Sequence, residues 1–390
     1  MTNQARMLKW RKAAHADVTF CHSDFLHSFV LLNSCVVIFS WRRSCMTNWR
    51  MFAFTPNVDI LDISYMRILS GIQPSGVLHI GNYFGMMRPA IALQAEGEAF
   101  YFIADYHALT SVRDPRMLRE NSRRIALDFL ACGLDPERAA LFRQSDVPQV
   151  TELAWILSTV APMGLLERSH SYKDKLARGL AATVGLFNYP VLMAADILIY
   201  DSDVVPVGKD QKQHIEITRD LAVKMNETFG SEPDGRIFKL PEPRIQAATE
   251  VVPGIDGQKM SKSYGNNIDI FGDEKETRKR VMSIVTDSTP VEAPKDPSGS
   301  TIFQLYSLVA SKDEVAEVRE QFQKGGTGYG EFKKQLFEKL WEHFAPMRKR
   351  REEMLAEKSY IDNVLARGAE RANEIADQVM QRVRRAVGLR

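Results

Sequence analysis

Short apolar runs alternate with stretches of helical period along most of this chain. Residues 67–72 form an apolar run of strand length that stops at Gln73-Pro74-Ser75-Gly76, residue types that favour turns. His79-Ile80-Gly81-Asn82 then opens a helical-period stretch over residues 83–95. A second buried-strand run, residues 99–104, stops at Asp105-Tyr106-His107. A helical pattern follows over 115–132, and a third apolar run covers 139–142. Strands that alternate with helices predict an α/β fold, a doubly wound parallel sheet of Rossmann-like type, in which ligands sit beyond the carboxyl ends of the strands. Both polar clusters, 73–82 and 105–107, fall at such ends.

Beyond residue 269 the 3.6 period takes over, as in Phe332, Leu336, Phe337, Leu340, Trp341 and Phe344, and again in Ile375, Val379, Val383 and Val387. A helical C-terminal domain over 272–390 is therefore expected behind an α/β domain over 66–271. The last sixty residues hold 14 Lys/Arg against 10 Asp/Glu and include Arg348-Lys349-Arg350-Arg351. Such a run is either a solvated helix face or a row of phosphate contacts.

The first 65 residues read differently. Residues 25–41 are mostly apolar but spotted with His, Asn and Ser, with basic residues on both sides. A secretory signal would need a small-residue cleavage site, and Trp41-Arg42-Arg43 follows instead. A membrane span would need about 20 cleaner apolar residues. A docked helix is a third reading. The expectation adopted is that translation starts at Met66, where a clean strand begins at once, and that 1–65 is an over-extended start.

Composition narrows the class. The chain has 390 residues, 45% hydrophobic and 26% charged, which allows a large core and argues against wholesale disorder and a polytopic membrane protein. Lys+Arg 51 against Asp+Glu 49 gives +2, and without residues 1–65 the counts are 44 against 45. A nucleic-acid partner would have to be held by a local basic patch rather than a global field. Of four cysteines only Cys132 lies beyond residue 65, which excludes a disulfide scaffold in the body and fits a reducing, cytoplasmic setting.

Two segments carry candidate chemistry. A helix start preceded by small residues offers unpaired N–H groups to a phosphate, and residues 74–82 have that shape, with His79 placed either to cap the helix or to donate to a phosphoryl oxygen. Lys259-Met260-Ser261-Lys262-Ser263 lies between Gly254, Gly257 and Gly265. Two lysines and two hydroxyls on a loop able to close could neutralise a departing pyrophosphate. Either segment alone is a weak signal.

Together, about 180 residues apart on an α/β frame, they resemble the two signatures of class I aminoacyl-tRNA synthetases. Ser70 to Gly76, Asp105-Tyr106-His107-Ala108, Tyr189-Pro190 with Leu192-Met193-Ala194-Ala195-Asp196, residues 205–216 and 328–333 extend the resemblance to the bacterial tryptophanyl-tRNA synthetase family over essentially residues 66–390. The sister tyrosyl family shares the frame. An indole N–H only donates, so its reader wants one buried acceptor among apolar walls, whereas a phenol both donates and accepts. Leu69 stands where the tyrosine enzymes resemble one another in a Tyr, Met193 where they carry a Gln, and Gln73 where they carry an acid. All three favour tryptophan, with Asp196 as acceptor and Met193 as adaptable wall.

By the same resemblance, Gln73, Pro74, Ser75, Gly81 and Asn82 match contacts to ATP, Gly208, Lys209 and Asp210 match a loop at the adenosine ribose, and Val251 matches an adenine contact. Lys209 departs from a commoner acidic residue. Met260, Ser261 and Ser263 belong to the second signature's ATP contacts. Tyr189, Gln211 and His107 match residues near the tryptophan amino and carboxylate groups, and Lys175 matches a lysine that reaches the triphosphate. His79, Lys175, Lys259 and Lys262 are then the catalytic set. Implied are ATP with Mg²⁺ held mainly by its phosphates and no protein metal ligands, tRNA(Trp) and L-tryptophan as partners, a homodimer, and no membrane. Competing readings are a tyrosyl-tRNA synthetase, a nucleotidyltransferase of the same superfamily, and an RNA-binding protein that kept the scaffold without catalysis. The last would expect damage at His79, Lys262 or Asp196, and all three are intact.

Overall fold

The computed structural model describes residues 27–32, 35–40 and 66–389, apart from 75, 170–171, 174–178, 180–182, 209–210, 231–235 and 246–251. In the N-terminal unit, β1 (His27–Leu32) pairs antiparallel with β2 (Cys35–Ser40), Val30 opposite Val37. The described part of the apolar run at 25–41 is thus a pair of strands where a docked helix was one expectation. The remainder of 1–65 lies outside the described residues.

The three strand runs read from the sequence are strands of one sheet: β3 (Arg67–Ile72), β4 (Glu98–Ile103) and β5 (Ala139–Arg143). Two more, β6 (Val204–Val207) and β7 (Glu242–Ile245), complete it. All neighbours run parallel in the order β5-β4-β3-β6-β7. The direction of winding reverses between β3 and β6, the place where open α/β sheets commonly bind ligands. These two strands pair only at Ile68 and Val204. Pro206, which has no N–H to give a ladder, lies two residues further along, where β6 has parted from β3.

Side-chain alternation sends β4 and β5 into two separate cores. Ala99, Tyr101, Ile103 and Leu141 join one, and Phe100, Phe102, Ala140 and Phe142 the other, as a period of two requires. The first face is covered by α1 (Pro115–Ala131), which Asp114 caps by accepting from the N–H groups of Arg116 and Met117. The second face carries α2 (Gln149–Ser158), α3 (Val184–Leu198) and α4 (Lys212–Phe229).

After residue 272 the chain is helical, as expected: α5 (Glu274–Met282), α6 (Thr301–Ser307), α7 (Lys312–Lys324), α8 (Tyr329–Ala356) and α9 (Tyr360–Ala386). These helices belong to the same compact unit, Ser64–Arg390, as the sheet. Phe332, Leu336, Phe337, Leu340 and Phe344 of α8 pack into the first core. Helix α9 begins in that core with Ile361, Val364 and Leu365, crosses the sheet edge and ends in the second with Ala376, Val379 and Val383. The crossing demands a glycine: a Cβ on Gly368 would stand 2.1 Å from the Leu141 carbonyl oxygen of edge strand β5.

Candidate active site

The first signature follows β3 directly. Gln73 is exposed and Pro74 buried beyond the strand's last residue, and Gly76 takes a positive φ of 92° that a side chain would resist. His79 is buried and caps the helix that starts at Ile80: its Nδ1 accepts from the Asn82 N–H at 3.3 Å, and Asn82 Oδ1 accepts from the His79 N–H at 3.1 Å. Capping and chemistry are therefore not alternatives. With Nδ1 accepting, the ring proton sits on Nε2, which is left as a donor. Burial, and next the nearby charge of Lys262, hold the imidazole's pKa down at about 4 against an opposing pull from Asp269, so it is neutral at pH 7.

The second signature is built against the first. Residues 268–270 run beside 78–80: the Ile80 N–H donates to the Ile268 carbonyl at 2.9 Å and the Ile270 N–H to that of Leu78 at 3.2 Å. Met260 is buried with its Cβ 3.2 Å from where a Cβ on Gly81 would stand, so a side chain there would make the neighbouring segment give by a few tenths of an ångström. The Nζ of Lys262 lies 3.5 Å from the equivalent position on Gly76. The lysine tip thus sits over the loop that follows β3. Its pKa is lowered, chiefly by partial loss of solvent around the ammonium of an otherwise exposed side chain, with Asp269 pulling it up. Lys259 is exposed, and the Ser261 and Ser263 hydroxyls bond each other at 2.8 Å.

Asn266 holds this loop together. Buried, it accepts from the Ser261 N–H at 2.7 Å and donates to Asp256 at 2.8 Å and to the Lys259 carbonyl at 3.2 Å. It was missed in the sequence, although an Asn directly after the loop's closing glycine is the residue type that ties local backbone.

The expected indole reader, Asp196, sits on α3 with 1% exposure. Its Oδ2 is 2.8 Å from His107 Nε2 and its Oδ1 accepts from Gln144 Nε2 at 2.7 Å. Burial raises its pKa, and the His107 and Gln144 bonds pull it back down. His107 follows β4 and Gln144 follows β5, as the first signature follows β3. The Tyr189 ring lies edge-on to His107 at 6.3 Å, and its hydroxyl meets His214 Nε2 at 3.1 Å. A cleft of about 310 Å³ opens here, lined by His107, Tyr189, Leu192 and Arg113 among others. Met193 is half-buried against the second core, and Leu69 is fully buried inside it. Gly208 is exposed just past β6, and the Gln211 N–H donates to its carbonyl at 3.0 Å. Ser75, Lys175, Lys209, Asp210 and Val251 lie outside the described residues. Gln144 too was missed, though Gln144-Ser145-Asp146 is a polar cluster at a strand end like the two that were noticed.

The basic run on α8 corrects an expectation. Arg351 binds Asp128 of α1 at 2.8 Å, a carboxylate with 1% exposure, and lies over the Phe271 ring. Arg348 stacks on Trp341, 3.5 Å from the ring centre, and donates to that residue's carbonyl. Two of the four cations are therefore sewn into the fold rather than forming either a solvated face or a row of free phosphate contacts.

Residues 64–345 match the family of class I tRNA synthetases for tryptophan and tyrosine. The chain is 55% identical over 325 residues to the tryptophan–tRNA ligase of Rhodopirellula baltica, covering 83% of this chain and all of that protein. It is 53% identical to that of Fusobacterium nucleatum, over 83% of this chain and 98% of the other. A crystal structure of the Campylobacter jejuni tryptophanyl-tRNA synthetase with ADP and tryptophan superposes with a TM-score of 0.78 at 49% identity, covering 83% of this chain and all of that one. The chain belongs to the class I aminoacyl-tRNA synthetases. Within them it is of the tryptophanyl type.

Proposed function

We propose that the chain works as a tryptophan–tRNA ligase through the residues gathered at the carboxyl edge of its sheet. L-Tryptophan is activated with ATP to tryptophanyl-adenylate and pyrophosphate, and tryptophan then passes to the 3′ end of tRNA(Trp). The observation that carries the reading is the meeting of the two signatures, with the Lys262 tip over the loop at Gly76 and a neutral, Nε2-protonated His79 beside it.

The tryptophan carboxylate attacks the α-phosphorus in line with the departing pyrophosphate, and a ribose hydroxyl of the terminal adenosine then attacks the adenylate carbonyl and releases AMP. Neither step needs a protein nucleophile. Catalysis is positioning and charge stabilisation: His79 Nε2–H donates to a phosphoryl oxygen, Lys262 and Lys259 neutralise the leaving group, and Lys175 reaches the triphosphate. The nucleotide enters as its magnesium complex, the metal held by phosphate oxygens as part of the substrate. Gln73, Pro74, Ser75, Gly81, Asn82, Gly208, Lys209, Asp210, Val251, Met260, Ser261 and Ser263 surround ATP. Asp196 accepts from the indole N–H, with Met193 and Leu69 on the apolar side and Tyr189, Gln211 and His107 near the amino-acid end. Residues 66–271 are the catalytic part and 272–390 bind tRNA. The enzyme acts as a homodimer in the cytoplasm, one tRNA spanning one subunit's site and the other's helices. Among the described residues no helix is long and apolar enough to cross a membrane.

ATP–pyrophosphate exchange with each amino acid in turn tests this. Exchange with tryptophan far above every other amino acid is expected. Exchange with tyrosine instead, or with none, overturns it.

A further inference from the structure

Asp196 can read an indole only if it presents a bare oxygen to the ring N–H and is not itself protonated toward it. Burial works against this by raising its pKa. Gln144 bears on both requirements. It has 1% exposure, and its amide is pinned at both ends: Oε1 accepts from the Tyr106 N–H at 3.1 Å, and Nε2 donates to Asp196 Oδ1 at 2.7 Å. Because the backbone N–H of Tyr106 can only donate, the oxygen must face it and the NH₂ must face Asp196. The flipped amide would set its NH₂ against the Tyr106 N–H and its oxygen against a carboxylate. Asp105, whose Oδ1 also accepts from the Tyr106 N–H at 3.0 Å and from the Ser145 N–H at 3.0 Å, fixes the two segments that carry the clamp.

We infer that Gln144 is the positioning residue that makes Asp196 an obligate acceptor and so sets the preference for an N–H-bearing ring, an inference that rests on Asp196 reading the indole. Gln144 and His107 each occupy one lone pair on separate oxygens of Asp196, leaving the others for a donor on the substrate. A ligand that must accept at this point finds nothing to give it a proton.

The test compares L-tryptophan with the analogue carrying sulfur in place of the ring N–H, in the wild type and in Gln144→Met, by steady-state pyrophosphate exchange. In the wild type, kcat/KM should favour tryptophan by tenfold or more. In Gln144→Met, KM for tryptophan should rise about tenfold while KM for ATP and the activity with the analogue stay within about twofold, so that the preference collapses. Equal losses for the two substrates, or an unchanged preference, would overturn the role of Gln144 and assign it to packing. A wild type that does not prefer tryptophan over the analogue would instead overturn the reading of Asp196 itself. Should Gln144→Met fail to fold, Gln144→Glu keeps an acceptor for the Tyr106 N–H and permits the same comparison. There the preference should be lost at pH 8, where two carboxylates face each other, and regained as the pH falls toward 6 and a shared proton restores the donor. The ionisable neighbours His107, Asp105 and Tyr200 are common to the wild type, which is run alongside at both pH values. Loss of preference at both pH values alike would again point to packing.

Discussion

Two carboxylates in this enzyme have the same exposure, 1%, and opposite fates. Asp128, on α1, is met by the guanidinium of Arg351. Asp196, beside the cleft at His107 and Tyr189, is met by an imidazole and an amide, with no arginine or lysine in contact among the described residues. In the first case the charge is neutralised by a fixed cation and serves the fold. In the second it is held by hydrogen bonds to His107 and Gln144, and on the proposed reading it is kept for a substrate donor. Burial alone therefore does not mark a functional acid. The chemistry of its partners does.

The contrast predicts different failures. Arg351→Ala should leave Asp128 buried and unpaired and lower the unfolding free energy by roughly 3 to 5 kcal/mol, read by urea melts, with little effect on KM for tryptophan. A stable variant with weakened tRNA binding would restore the run as a phosphate row. Lys262→Ala should lower the activation rate by about 10²- to 10³-fold while raising KM for ATP far less, since its charge is needed most as pyrophosphate leaves. An effect confined to KM for ATP would sink the clamp. Asp196→Asn keeps one acceptor oxygen but loses the charge. With a charge-assisted bond worth about 1.5 to 3 kcal/mol, kcat/KM for tryptophan should fall roughly ten- to a hundredfold while the melting midpoint moves much less than for Arg351→Ala.

The smallest effect concerns His79. Its pKa in the fold, about 4, lies below the 6.5 of a free imidazole, so the unfolded chain binds more protons between those values. Stability from this group is complete above pH 6.5 and is lost as the pH falls toward 4. Activation rates should then show no inflection from His79 between pH 6 and 8. A difference between wild type and His79→Asn that titrates near 6.5 would contradict the neutral donor.

Much of the sheet was legible because buried parallel strands read as unbroken apolar runs, and β3, β4 and β5 do. Strands β6 and β7 did not, being four residues long with a proline in each, Pro206 and Pro243. The two signatures stood out as local strings, and the structure brings them into contact through Gly81 and Met260. What one sequence could not supply is pairing at a distance. Gln144 finds its partner 52 residues away and Arg351 finds its partner 223 residues away, and nothing in the local pattern of either announces it. The same blindness let Arg348 and Arg351 pass for free charge.

Gly368 also bears on the order in which the molecule is made. Strand β5 ends one side of the sheet, and α9 is packed against it by the close approach at Leu141. On a ribosome adding about 5 to 20 residues per second, the 227 residues from Leu141 to Gly368 take roughly 11 to 45 s. Through that interval the nascent sheet has an uncovered edge of the kind that recruits other chains. A bulkier residue at 368 would clash with the Leu141 carbonyl that α9 must meet to close this edge, so this glycine bears on how long the edge stays open during synthesis as well as on the finished fold.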